Sequence, residues 1–139
     1  MNAPVYTTRI LRLASSLPAP RGLERVDGRA ELRSPTCGAT ITTEVMLDGG
    51  KLASISQSVR ACAFGQASAA LLEGGATGRS AAEVAQALEQ LGEWLEGKRE
   101  EPGDWPDLGE LAPARPKSGR HGAILLPFRA LLAAMTNAR

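Results

Sequence analysis

Apolar and polar positions follow a helical period at both ends of the chain and a period of two in between. Ile10, Leu13, Ala14 and Leu17 recur at the spacing of one buried helix face. Thr7 and Thr8 are candidate caps for that helix, and Pro18 and Pro20 a stop. The period then changes. Ala30 and Leu32 share one side of residues 29–33, a short strand. Ile41, Thr43, Val45 and Leu47 alternate with Thr42, Glu44 and Met46, a second strand. Asp48-Gly49-Gly50 is a hairpin turn that tolerates positive φ, so residues 51–60 return as the partner strand.

Beyond residue 60 the pattern is helical again. Residues 61–72 are rich in Ala, Ser and Gly, which lets a helix lie close to its neighbours, and Gly74-Gly75 is the expected end. Ser80-Ala81-Ala82-Glu83 forms a capping box, in which the Ser oxygen and the Glu carboxylate satisfy free backbone N–H groups. Val84, Leu88, Leu91 and Leu95 carry the buried stripe of the helix that follows, and Gly97 closes it. Residues 98–106 read as a loop, Leu108 to Leu111 as a helical turn, and 113–120 as a basic loop. An apolar helix over 122–135 ends the chain, with Pro127 at its first turn or at a kink.

A helix, then strands, then helices is the segregated order of an α+β fold with an antiparallel sheet. The 139 residues make one domain, 1–139, large enough to bury roughly two-thirds of its surface without a disulfide. The 16 Lys and Arg nearly balance the 15 Asp and Glu, which removes the basic footprint of a DNA binder. With only 4% aromatic residues, the stacking platforms of a single-strand binder are missing too. Arg9 and Arg12 break the first apolar stretch, so no secretory leader is expected and the cytoplasm is the default location. No phosphate-binding loop, Ser/His/Asp set or carboxylate pair suggests catalysis, and a carrier or interaction role is expected over an enzyme.

The chain has two cysteines, Cys37 and Cys62, and one histidine, His121. A free cysteine is commonly a small buried hydrophobe. Cys37 is set differently, in the turn-like segment Ser34-Pro35-Thr36-Cys37-Gly38-Ala39. Cys62 ends an extended stretch beside Arg60 and opens a run of helix formers, an electropositive setting of the kind that favours thiolates. His121 opens the last helix. These three residues fall at element ends that the α+β order brings near one another. Trp94 and Trp105 read as packing residues, and Arg115, Lys117 and Arg120 as a solvated loop.

From about Tyr6 to the last helix the sequence resembles the IscU, SufU and NifU N-terminal family of iron–sulfur cluster scaffolds. The segments that carry the likeness are Ser34-Pro35-Thr36-Cys37-Gly38, Asp48-Gly49-Gly50-Lys51-Leu52, Ala61-Cys62-Ala63-Phe64-Gly65-Gln66-Ala67-Ser68-Ala69 and Arg120-His121-Gly122-Ala123-Ile124-Leu125. The resemblance implies a small three-stranded antiparallel sheet packed against helices, the SufE/NifU-like or IscU-like fold. It implies Cys37 and Cys62 as the first two ligands, and His121 as the histidine that precedes the third. It departs at two places. The family's Asp after Cys-Gly is Ala39 here, and its third Cys is Gly122. Leu111-Ala112-Pro113-Ala114-Arg115 is only similar to the IscU segment read by an Hsp70 chaperone.

The implied cargo is a transient iron–sulfur cluster, [2Fe-2S] by preference, or zinc in the same site. Cys37, Cys62 and His121 give three of the four ligands a two-iron cluster takes. The set closes through a homodimer, through an outside ligand, or as a single zinc or iron with an open position. The implied partners are a cysteine desulfurase and recipient apoproteins, with no nucleic acid and no membrane. Two alternatives stand beside the scaffold: a sulfur relay that accepts a persulfide, and a degenerate member acting as an interaction module.

Overall fold

The structure, a computed structural model, describes residues 6–35 and 38–138. Its elements are α1 (Thr8–Ser15), β1 (Gly28–Arg33), β2 (Thr40–Asp48), β3 (Lys51–Arg60), α2 (Ala63–Ala76), α3 (Ala81–Leu95) and α4 (His121–Thr136). Short 3₁₀ segments, Leu108–Ala114 and Ser118–Arg120, precede α4. The strands form one antiparallel sheet in the order β1-β2-β3. This is the expected α+β architecture.

Alternation along β2 buries Ile41, Thr43 and Val45 on one face. Opposite them on β3 stand Val59, Gln57 and Ile55, so that face is continuous across the pair. The hairpin closes at Gly49 and Gly50, with φ +60° and +81°, as the type I′ geometry of a right-twisted ribbon demands. A register shift after Met46 takes Leu47 off the buried row and leaves it half-buried.

Helix α4 lies against β1 and β2 and also packs on α2 and α3, which makes it the centre of the molecule. Its Ile124, Phe128, Leu131 and Ala134 are fully buried, and Leu91, Leu72 and Phe64 meet them from α3 and α2. Pro127 sits in the second turn, inside the helix and not at its first turn. Proline has no N–H for the Ala123 carbonyl, and Gly65 of α2 closes on that oxygen: a Cβ there would stand 3.3 Å from it. One turn further along α2, the buried Ser68 hydroxyl donates to the Ile124 carbonyl at 2.6 Å.

Three elements depart from the pattern reading. Helix α1 stops at Ser15, so Leu17 is outside it and only Ile10 is fully buried. Helix α2 does not end at Gly74-Gly75 but runs through them to Ala76. The reason is Trp105, which sits on α2 with its indole N–H donating to the Leu71 carbonyl at 3.1 Å. A Cβ on Gly75 would lie 2.6 Å from that indole nitrogen, while nothing stands within 4 Å of one on Gly74. Opposite outcomes follow for two adjacent residues. Gly74→Ala should stabilise by about 0.5–1 kcal/mol through helix propensity. Gly75→Ala should cost about 1–3 kcal/mol through overpacking. Urea midpoints of the two variants read both signs. The third departure is Arg115, described below, which is not a solvated loop residue.

Two carboxylates are tied to the backbone. Asp27 accepts from the Leu47 N–H at 2.7 Å and from Arg25 Nε at 2.9 Å. The backbone donor first, and Arg25 after it, hold its pKa below the ordinary 3.8. In the capping box, the Ser80 N–H holds Glu83 below its ordinary 4.5. Both pKa values are depressed by folding. Their contribution to stability is therefore present above the unfolded values and is lost as pH falls through the folded ones. Unfolding midpoints should hold level down to about pH 5 and then fall, and Asp27→Asn with Glu83→Gln should flatten that fall.

Candidate functional site

Cys62 is the N-cap of α2, in extended conformation with φ −64° and ψ 172°. Its carbonyl accepts the first helical bond, from Gln66 N–H at 3.0 Å, while its side chain makes no capping bond. The thiol is free and half-buried at the positive end of a 14-residue helix. Tyr6 packs on the same core as Cys62, and its ring tilts on Phe64 at 5.1 Å. Burial first, and the sulfur's charge next, push the Tyr6 hydroxyl pKa above 10.0, and the nearby Arg120 guanidinium opposes them.

His121 is the first residue of α4, directly after Arg120. Its Nε2 lies 3.0 Å from the carbonyl oxygens of both Ala114 and Arg115. Neither oxygen can donate, so the network assigns the proton to Nε2 and, in the neutral ring, the lone pair to Nδ1. Two acceptors on one nitrogen fix the orientation of the ring. The contact of Gly65 with Ala123 sets the N-terminal ends of α2 and α4 side by side. Cys62 stands three residues before Gly65, and His121 two before Ala123.

Cys37 lies outside the described residues. The loop that carries it is bounded by Ser34 and Ala39, whose N–H and carbonyl pair at 2.8 Å, and by Gly38 at φ +71°. Among the described residues, no three Cys, His, Asp or Glu side chains gather as a metal-binding group.

Both departures from the resembled motif have a structural counterpart. Ala39, where the family has Asp, is 4% exposed and packs in a small apolar cluster with Ile41, Ala123, Leu126 and Ala130. Gly122, where the family has its third Cys, faces the buried Ser34: a Cβ at 122 would be 2.8 Å from the Ser34 hydroxyl. Ser34 therefore occupies the ground that a side chain at 122 would need. Sequence reasoning did not single out Tyr6 or Ser34. Tyr6 is the only tyrosine in the chain, which is a weak signal, and Ser34 gives none.

No protein-family profile matches the sequence, and no curated protein matches it either. Solved structures do. A NifU-like N-terminal protein from Brucella abortus is 28% identical, with a TM-score of 0.88 over 96% of this chain and 93% of that one. An iron–sulfur cluster assembly scaffold protein assigned to the SUF system of Fervidobacterium islandicum AW-1 has a TM-score of 0.84 at 19% identity, covering 94% of this chain and 96% of its own. A hypothetical protein matches at 0.71 and 24% identity, over 92% of this chain and 96% of its own. In sheet order and helix packing the chain has the fold of these NifU-like and SUF-system structures. Among the described residues no helix is long and apolar enough to cross a membrane.

Proposed function

We propose that this chain is an iron–sulfur cluster assembly scaffold that receives sulfur from a cysteine desulfurase, holds a cluster transiently, and passes it to apoproteins. The observation that carries the reading is the 28% identity and TM-score of 0.88 to the NifU-like protein over nearly the full length of both chains. Side-by-side helix starts, one bearing a half-buried thiol and the other an imidazole with a free Nδ1, support it further. Cys37, Cys62 and His121 are the ligands in this reading. It is a carrier working in the cytoplasm and not an enzyme. With three protein ligands, a [2Fe-2S] cluster takes its fourth from an outside thiol or a second copy, and such a cluster is labile. Lability suits a protein whose task is release.

A sulfur relay, with zinc in the site and Cys37 or Cys62 as persulfide acceptor, is the second reading. The absence of a thiol at Gly122, which Ser34 crowds, favours it. Anaerobic reconstitution with ferrous iron and sulfide separates the two. A scaffold should develop visible charge-transfer absorption that Cys37→Ser or Cys62→Ser removes. Absence of any chromophore in the wild type, with stimulation of desulfurase turnover, would select the relay.

A further inference from the structure

Arg115 ties the turn before α4 to the end of α3 and the loop that follows it. Its Nε donates to the Trp94 carbonyl in the last turn of α3 at 2.9 Å, and its Nη2 to the Arg99 carbonyl in the following loop at 3.2 Å. The guanidinium lies 4.9 Å above the centre of the Trp94 ring, itself 3% exposed and part of the core. Arg115's own N–H closes the 3₁₀ segment on the Ala112 carbonyl at 3.0 Å. Its carbonyl and that of Ala114 then converge on His121 Nε2. A planar fork with two donors and a stacked face fixes its backbone more firmly than a lysine could.

We infer that Arg115 is a positioning residue for His121. By anchoring the turn whose two carbonyls receive Nε2–H, it presents Nδ1 as the metal-binding atom. This rests on the reading of His121 as a ligand. Two acceptors on one N–H fix both the proton and the rotation of the ring. Without the clamp the turn is free to move, and either nitrogen can face the site.

His121 is the only histidine, so the imidazole signals of a ¹⁵N-histidine-labelled sample belong to it alone. In the apoprotein at mildly alkaline pH, Nε2 should carry the proton and Nδ1 should not. Added zinc should shift Nδ1 and leave the proton on Nε2. In folded Arg115→Ala, solvent exchange of the Nε2 proton should quicken, and zinc affinity should fall by about 10–100-fold, as for other partners that orient a ligand. If Arg115→Ala does not fold, Arg115→Lys keeps the charge and stem, loses the fork, and should move both readouts the same way. An unprotonated Nε2 in the wild type, or exchange and zinc affinity that ignore both substitutions, overturns the clamp. Zinc that binds without shifting Nδ1 overturns the ligand reading instead, and with it the assignment of the metal-binding atom.

Discussion

Gly28→Ala is expected to cost about 3 kcal/mol or more and to disturb the far end of the molecule as well as its own. A Cβ at residue 28 would run into the Ala134 carbonyl oxygen and stand 3.3 Å from the Ala138 Cα. Those are backbone atoms, so no side-chain rotation relieves the clash. Either β1 or α4 must move. The second contact of the same pair is Ser34 against Gly122. From residue 28 to 34 an extended chain covers about 20 Å, and from 122 to 134 a helix covers about 18 Å. Helix α4 therefore runs back along β1 and meets it closely at both ends, each time at a glycine. Displacing the Ala134 end tilts the helix that begins at His121. A urea midpoint well below that of the wild type, together with altered amide shifts near residues 34 and 121, is the expected result. A cost under about 1 kcal/mol would show that strand and helix approach less closely than described.

A second large effect should come from restoring the missing thiol, and only in combination. Gly122→Cys alone forces a side chain against the Ser34 hydroxyl at 2.8 Å and should destabilise by about 1–2 kcal/mol. Paired with Ser34→Ala, the new side chain gains room and the site gains a third thiolate. If the scaffold reading holds, the reconstituted cluster of the double variant should persist at least about tenfold longer than that of the wild type, because four protein ligands complete a two-iron cluster. Decay of the visible absorption under air measures it. Equal lifetimes in the wild type and the double variant would count against a cluster site at His121 and Gly122.

Much of this protein was legible before folding was considered. The strand hairpin followed from the alternation along β2 and two adjacent glycines, whereas the register shift after Met46, which takes Leu47 off the buried row, did not. The capping box at Ser80 and the stop at Gly97, with φ +82°, are local chemistry and came out as read. Helix α2 did not stop where Gly74-Gly75 suggested, because the reason for Gly75 is an indole 30 residues away. The solvated reading of Arg115 failed for the same cause: its partners, Trp94 and Arg99, belong to other elements. Of the candidate site, Cys62 and His121 were visible as rare residues at element starts. The packing of Tyr6 on Phe64 was not.

The elements, their order, the α+β class and the residue types able to hold a soft metal follow from neighbours a few positions apart along the chain. Which nitrogen of His121 is free, and why residues 39 and 122 are small, depend on how distant segments pack. Those are properties of contacts between segments tens of residues apart, and no local period or motif encodes which carbonyl, hydroxyl or ring will arrive there.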